Sequence, residues 1–130
     1  MILVDTSVWV DFFRGAGSPE ADRLAQAVDD DDVCLCGLIL TEVLQGIPSA
    51  REHRRVRRLL EALIYLPMER RDYVLAADLY RAARAKGKRI RNTVDCIIAA
   101  CAISHNVPLL QKDKDFLALA AVSRLKLAPL

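Results

Sequence analysis

Four acidic residues of the chain lie where an apolar run meets a polar or helix-starting segment: Asp5, Glu42, Asp95 and Asp113. A carboxylate beside a core element carries a desolvation cost unless something compensates it. Four such groups gathered at one edge of a fold would repel each other and raise their pKa values unless a cation joined them. Because Mg²⁺ and Mn²⁺ prefer oxygen ligands of this kind, the set indicates a divalent-metal site.

Each of these acids also has an ordinary structural explanation. Asp5 follows an apolar run and is placed to cap a helix, and Asp95 lies at the start of an apolar helix, where it suits the helix dipole. Glu42 alone fits an exposed helix position, and Asp113 with Asp115 fits a loop or a helix start. Taken together, the four acids favour a shared functional site over separate structural roles, because each belongs to a different segment and each falls near the same predicted sheet edge.

Length and composition predict a folded protein of one domain, residues 1–130. Apolar residues make up 53% of the chain and charged residues 28%, which is typical of a globular protein and excludes a disordered one. The apolar stretches are too short to span a bilayer, and none has the pattern of a secretory leader. We therefore expect the protein in the cytoplasm.

Apolar runs predict strands at 2–5, 33–36, 64–67 and 107–110, with a candidate edge strand at 124–127. Helical segments alternate with them, at about 6–14, 18–29, 38–46, 50–63, 70–86, 93–105 and 114–121. This alternation predicts an α/β fold, a three-layer α/β/α sandwich around a mostly parallel sheet of four or five strands. In such a sheet, ligands bind at the carboxyl ends of the strands.

Capping residues mark several helix starts. Thr6 or Ser7 is placed to cap the first helix, Ser18 the second, and Asn92 or Thr93 the helix that holds Asp95.

Although the net charge is only +2, the chain contains two clusters of basic residues. One is formed by Arg51, Arg54, Arg55, Arg57 and Arg58, and the second by Arg84, Lys86, Lys88, Arg89 and Arg91. Either cluster suits phosphate contacts, and either also suits a solvated helix face or a partner surface. The second cluster precedes the Asp95 helix, so it is the first candidate for binding a nucleic acid beside the acids.

Other residue types capable of chemistry are more consistent with structural roles. All four cysteines lie in apolar runs without metal-binding spacing, which predicts buried free thiols. His53 and His105 are expected to be structural or surface residues. The aromatic residues could stack on bases, but their helical spacing favours core packing: Trp9, Phe12, Phe13, Tyr65, Tyr73 and Tyr80.

Four stretches together resemble the PIN domain, and in particular the VapC toxins of bacterial toxin–antitoxin pairs. They run in order through the chain at 2–9 (ILVDTSVW), 40–46 (LTEVLQG), 92–100 (NTVDCIIAA) and 109–116 (LLQKDKDF). Each stretch is modest in isolation, but their order and spacing match over essentially all 130 residues.

The resemblance implies a metal-dependent endoribonuclease. Carried over position by position, the acids that hold one or two Mg²⁺ or Mn²⁺ ions are Asp5, Glu42, Asp95 and Asp113, with Asp115 as a further or alternate ligand. Thr6 matches the small hydroxyl residue beside the first acid, and Arg84, Lys86, Arg89 and Arg91 are the expected substrate-positioning residues. One position departs from the family, because Gln111 stands where Thr or Ser is common.

We expect hydrolysis by metal-activated water rather than attack by the RNA 2′-hydroxyl, since no histidine is placed to act as the base. Glu42 or Asp113 is then the candidate proton acceptor. The alternative is a PIN-like module that binds RNA or protein without cleaving it. A dehalogenase-type phosphatase is disfavoured, because Ser7 stands where that class needs a second Asp, and a receiver-type signalling domain would need an early acidic pair that the chain lacks.

The resemblance also implies partners. A VapC-type toxin inhibits translation and growth, is held inactive by a small VapB-type antitoxin, and commonly forms homodimers. The groove expected for the antitoxin involves Val8, Trp9, Phe12 and the helix that carries Glu42 and Leu44.

Overall fold

A parallel sheet of four strands forms the centre of the computed structural model, which describes all 130 residues. The strands are β1 (Ile2–Val4), β2 (Val33–Leu35), β3 (Ile64–Tyr65) and β4 (Leu109–Leu110), in the spatial order β3-β2-β1-β4. Helices flank the sheet, as the alternating sequence pattern predicts. The predicted three-layer α/β/α fold is confirmed, with four strands rather than five.

Seven helices connect and cover these strands. They are α1 (Thr6–Arg14), α2 (Pro19–Asp29), α3 (Gly37–Gln45), α4 (Ala50–Glu61), α5 (Arg70–Ala85), α6 (Thr93–Ser104) and α7 (Lys114–Ala121). Their bounds lie within one or two residues of the predicted ones. No helix has both the length and the apolar character that a membrane crossing requires.

The strand register brings the ends of β1 and β4 to one edge of the sheet. Val4 pairs with Leu110, and the Asp5 backbone N–H donates to the Leu110 carbonyl at 2.9 Å. The residue that follows the central strand therefore lies beside the segment that follows β4. This edge is formed by the carboxyl ends of parallel strands, where α/β folds place their ligand sites.

Three sequence predictions about local structure are wrong. The segment 124–127 makes one isolated parallel bridge, between Leu109 and Leu127, and is not a strand. Asp5 itself, rather than Thr6 or Ser7, is the N-cap of α1. Tyr65 lies on the sheet edge with 56% of its surface exposed, because β3 is an outer strand. Tyr73 is also half exposed, on the solvent side of α5.

The core is one continuous cluster of 31 buried residues, with all residues of β1 and β2 inside it. Trp9 is fully buried, with Phe12 edge-on and Phe13 stacked against it at ring-centroid distances of 5.9 and 5.6 Å. Each such side chain contributes about 1.5–3 kcal/mol when buried. The core therefore fixes the first strand and α1, and with them the position of Asp5. The four cysteines are free and buried, as predicted.

Candidate metal and nucleic-acid site

Asp5 is fixed at the junction of β1 and α1. Its carboxylate accepts hydrogen bonds from the Ser7 hydroxyl at 2.8 Å and from the Ser7 backbone N–H at 3.4 Å. Asp5 is buried, with 6% of its surface exposed. Burial raises the pKa of Asp5 and the negative charge of Glu42 raises it further, while the Ser7 hydrogen bonds act in the opposite direction.

Glu42 reaches the same edge from α3. The Thr6 hydroxyl donates to Glu42 Oε1 at 2.7 Å, so the residue after Asp5 holds the carboxylate that comes from α3. Two elements separated by 36 positions in the chain are thus joined by one hydrogen bond at the acidic edge. Thr6 is placed to orient Glu42, a contact that the sequence alone did not reveal.

Three further acids lie together at this edge. One carboxylate oxygen from each of Asp95, Asp113 and Asp115 lies within 4.8 Å of the others. Asp95 is in the first turn of α6, whose N-cap is Asn92, as predicted. Asp113 is the N-cap of α7, and its carboxylate accepts from the Asp115 N–H at 3.0 Å. Two helix starts therefore present the three side chains to each other.

Asp5 and Glu42 influence the triad through their negative charges, which act on the pKa of Asp95. The pKa of Asp95 is raised to about 7, first by burial and then by the negative charges of Asp5, Asp113, Asp115 and Glu42. Asp5 and Glu42 lie outside the 4.8 Å group but near enough to act on it. The structure therefore brings all five predicted acids to one edge, as a triad with two acids beside it.

The donor set fits a divalent cation. Every candidate ligand is a carboxylate oxygen, the set that hard ions such as Mg²⁺ and Mn²⁺ select over thiol or imidazole sites. Asp95 accepts no hydrogen bond from the chain, and its charged form is disfavoured first by burial and then by the neighbouring acids, which raise its pKa. A cation would remove this penalty.

Arg91 and Gln111 both contact Asp113. Arg91 also contacts Asp115, and its Nη2 lies 3.1 Å and 3.2 Å from the two oxygens of Asp113. Gln111 Oε1 accepts from the Asp113 backbone N–H at 2.6 Å. The amide therefore supplies the acceptor of this turn, a role that a hydroxyl could also fill.

Three other members of the second basic cluster, Arg84, Lys88 and Arg89, line a groove that reaches Asp115. Tyr80, Arg84, Lys88 and Arg89 surround a surface pocket of about 330 Å³. A second pocket, of about 510 Å³, shares Lys88 and Arg89 and extends to Lys114 and Asp115. Arg84, Lys88 and Arg89 form no ion pair within the chain. Lys86, at the C-cap of α5, lines neither pocket.

The first basic cluster lies on an exposed face of α4, and two of its five arginines are paired with acids of the same helix. On α4, Arg55 pairs with Glu52 and Arg57 with Glu61, and all four side chains are largely exposed.

An apolar groove lies between α1, α3 and α4, but its lining differs from the sequence prediction. Val8 and Trp9 are fully buried in the core and do not line it. The pocket, of about 390 Å³, is instead lined by Val10, Phe13, Arg14, Val43, Gly46, Ile47, Pro48 and Glu52. Val8 and Trp9 are therefore not accessible to a partner, and other residues of α1 and α3 form this pocket.

Known proteins resemble this chain along its length. The family model described as "PIN domain" matches residues 2–122. Ribonuclease VapC11 of Mycobacterium tuberculosis and VapC ribonuclease Mb1587 of Mycobacterium bovis are each 36% identical to the chain, over 98% of both partners.

A solved structure titled VapBC2 from Rickettsia felis bound to a DNA fragment from their promoter has a chain with a TM-score of 0.76 at 18% identity, covering 98% of each chain. At that identity the likeness concerns the fold. The family match and the relatives at 36% identity carry the assignment: this chain belongs to the PIN domain family.

Proposed function

We propose that the protein is a metal-dependent endoribonuclease of the VapC type, the toxin of a toxin–antitoxin pair. The observation that carries this proposal is the acidic edge itself. One carboxylate oxygen from each of Asp95, Asp113 and Asp115 lies within 4.8 Å of the others, and burial, followed by the negative charges of the other site acids, raises the pKa of Asp95 to about 7. The 36% identity to two proteins named as VapC ribonucleases supports RNA as the substrate.

The site residues divide into those that would hold the ion and those that orient them. Asp5, Glu42, Asp95 and Asp113 are the proposed Mg²⁺ or Mn²⁺ ligands for one or two ions, with Asp115 as a further ligand. The chemistry that a divalent ion supplies when bound is polarisation of the scissile phosphate and activation of water for attack.

Glu42 is the better placed of the two proton acceptors that the sequence suggests. Both oxygens of Asp113 already accept hydrogen bonds from Arg91, and one of them also accepts from the Asp115 N–H. Glu42 receives a single hydrogen bond, from Thr6, on Oε1. Thr6 thus fixes the orientation of a carboxylate whose second oxygen remains free to accept a proton.

The basic groove is the proposed path of the RNA strand. Arg84, Lys88 and Arg89 have no internal counter-ions, and the groove that they line ends at Asp115. Cations of this kind bind phosphates, and the partly buried Tyr80 lines the same pocket, where an aromatic side chain suits contact with a base. A strand lying in this groove would bring one phosphodiester to the carboxylates.

The proposed partners are a VapB-type antitoxin and a second copy of the chain. The apolar groove between α1, α3 and α4 suits a peptide segment, with Phe13 and Ile47 as apolar contacts and Arg14 and Glu52 at its rim. Structural neighbours in toxin–antitoxin complexes share the fold of this chain. Antitoxin bound there would adjoin α1 and α3, the helices that carry or follow Asp5 and Glu42.

RNA cleavage by the purified chain, free of antitoxin, tests the activity. We expect cleavage with Mg²⁺ or Mn²⁺ and none with EDTA. Asp5→Asn and Asp95→Asn should each lower the rate by more than about 100-fold, since even partners behind the ligands change metal-site activity 10- to 100-fold. Asp78→Asn is the matched control, because Asp78 is exposed on α5 and distant in sequence from the acidic edge.

The outcomes separate the enzyme from a silent binding module. Cleavage that persists in EDTA or in Asp5→Asn would contradict the proposed site. A folded chain that binds Mn²⁺ and RNA without cutting any RNA offered would support the binding module. The cut ends of a positive reaction identify the target sequence.

RNA affinity in the cleavage-deficient Asp5→Asn background tests the groove. Arg84→Gln and Arg89→Gln should each weaken binding a few-fold and lower the slope of log affinity against log salt by about 1. Arg58→Gln is the control, since Arg58 is an exposed arginine of α4 outside the groove. Equal effects of all three changes would contradict the proposed path.

A further inference from the structure

Arg91 is placed as a cation inside the acidic edge. Its Nη2 lies 3.1 Å and 3.2 Å from the two oxygens of Asp113, and its Nε lies 3.4 Å from Asp115 Oδ2. The Arg91 backbone N–H also reaches Asp115 Oδ2, at 3.3 Å. Two of the three acids in the 4.8 Å triad therefore already share one positive charge.

We propose that Arg91 is an internal counter-cation that competes with the divalent ion for Asp113, and that metal loading displaces its guanidinium from that carboxylate. This inference rests on the proposed metal site and adds a resident competitor to it. Arg91 and the Asp115 N–H already occupy three of the roughly four lone-pair sites of Asp113, and a divalent ion bound there would repel the guanidinium, so the two cations compete for this carboxylate.

The contacts around Arg91 favour exchange of the side chain over movement of the backbone. Ile90 is buried in the core on one side, and Asn92 caps α6 on the other, so the backbone at position 91 is held at both ends. The Arg91 side chain, in contrast, is 64% exposed. Its guanidinium contacts of 3.1–3.4 Å are longer than the 2.7–2.9 Å of strong charge-assisted pairs.

The hydrogen bonds of Arg91 show that Asp113 is the carboxylate for which Arg91 and a metal ion compete. Both Asp113 oxygens accept from Arg91, whereas Asp115 Oδ1 accepts no hydrogen bond from the chain. Asp95 makes no contact with the guanidinium. An ion could therefore approach Asp95 and Asp115 with Arg91 in place, whereas coordination by Asp113 brings the ion into competition with the guanidinium.

Mn²⁺ affinity, measured by calorimetry on the metal-free chain, tests the competition without any cleavage assay. We expect Arg91→Gln to bind Mn²⁺ about three- to fivefold more tightly than the wild type, the scale of a partly exposed ion pair. Arg89→Gln is the matched control, because it removes the same charge two positions away without touching a carboxylate. It should change the affinity less than twofold.

The midpoint of thermal unfolding of the same proteins provides a second test of the competition. Arg91→Gln should lower the midpoint of the metal-free chain, because the acids lose their only internal cation, and saturating Mn²⁺ should reduce that difference. Arg91→Lys keeps the charge without the fork and should lie between the wild type and Arg91→Gln in both measurements.

Displacement itself is observable by NMR. The Nε–H signal of Arg91, assigned by its loss in Arg91→Lys, should shift on addition of Mg²⁺ while that of Arg89 does not. Mn²⁺ affinity that is equal in Arg91→Gln and Arg89→Gln, or weaker in Arg91→Gln than in the wild type, would overturn the competition. An Arg91 signal unchanged at saturating Mg²⁺ would also overturn it. A wild-type chain that binds no Mn²⁺ would overturn the metal site as well.

Discussion

Two aspartates on helices that pack against each other, one buried and one partly buried, have pKa values shifted in opposite directions. Asp72, at the start of α5, is 3% exposed and its pKa is lowered. Asp95, at the start of α6, is partly buried and its pKa is raised to about 7. Burial disfavours the charged form of both, so the difference arises from what surrounds each carboxylate.

Asp72 is surrounded by donors. The Glu69 backbone N–H donates to Asp72 Oδ2 at 2.7 Å, and the Ser104 hydroxyl donates to Oδ1. These hydrogen bonds outweigh the burial penalty, and the charges of Arg71 and His105 add to them. Asp95 is surrounded by other acids. A buried carboxylate that accepts hydrogen bonds stabilises the contact between the two helices. A carboxylate that lacks donors and lies among other acids destabilises the metal-free fold and indicates a ligand site.

The largest stability effect is expected at Asp72. Asp72→Ala removes the N3 residue of the α5 capping box, whose N-cap is Glu69, and leaves the Glu69 N–H and the Ser104 hydroxyl without their acceptor, which should lower the free energy of unfolding by about 2–4 kcal/mol. Urea denaturation measures this. Asp72→Asn keeps an oxygen acceptor and should lose less. Cleavage per folded molecule should be unchanged. A loss of cleavage comparable to that of Asp95→Asn would contradict a purely structural role for Asp72.

At Asp95, in contrast, we expect substitution to increase the stability of the metal-free chain. Its folded-state pKa of about 7 lies above the ordinary value of 3.8, so the folded chain keeps the proton in a range where the unfolded chain has released it. The stability of the metal-free chain therefore falls as pH rises from about 4 to about 7. Asp95→Asn removes this dependence and should be about 1–2 kcal/mol more stable than the wild type at pH 8, a value reduced for partial exposure.

Denaturation of both chains at pH 5 and pH 8 in EDTA measures the effect. The gain from Asp95→Asn should be larger at pH 8 than at pH 5. Equal gains at both values, or a destabilised variant, would show that Asp95 is not electrostatically strained. For Asp72 the slope has the other sign, since a lowered pKa gives stability that is lost only as pH falls below about 4.

Metal binding should release a proton from Asp95 but not from Asp72. With a pKa of about 7, Asp95 is about nine-tenths protonated at pH 6 and about one-tenth protonated at pH 8, and an ion must displace that proton. Calorimetry of Mn²⁺ binding in buffers of different ionisation enthalpy counts the protons. We expect about 0.9 at pH 6 and about 0.1 at pH 8. Asp95→Asn should abolish the difference, and Asp78→Asn should retain it.

The sequence predicted the elements of the fold and the meeting place of the acids because both follow from local patterns. Apolar runs mark buried parallel strands, and residues directly after such strands share one edge of the sheet. The position of Asp5 after β1 and of Asp113 after β4 followed from this rule. The exposure of Tyr65 did not, because spacing along the chain does not say which strand lies at the edge of the sheet.

Contacts between distant segments were also beyond the sequence. Arg91 contacts carboxylates 22 and 24 positions away, and Thr6 contacts Glu42 36 positions away. Charge alone placed Arg91 among the residues that face RNA. Only the fold shows that the nearest negative charge to Arg91 is the site itself, which turns a proposed substrate contact into a proposed competitor.

Gln111 is where sequence and structure can be compared most directly, and it carries the smallest expected effect. The family often has Thr or Ser at this position, and here the Gln111 side chain accepts from the Asp113 N–H at 2.6 Å, fixing the turn that presents Asp113. Gln111→Ala removes one partly exposed hydrogen bond, worth about 1 kcal/mol, and should lower the cleavage rate about threefold to tenfold.

Gln111→Thr is the informative control for this turn. If the position needs only an acceptor for the Asp113 N–H, a hydroxyl two residues before the acid can replace the amide, and cleavage should return to within about twofold of the wild type. Full activity in Gln111→Ala would instead show that α7 holds Asp113 without help from this turn. Loss in Gln111→Thr as deep as in Gln111→Ala would show that the longer amide is required, so that this chain's departure from the family is part of how its acidic edge is built.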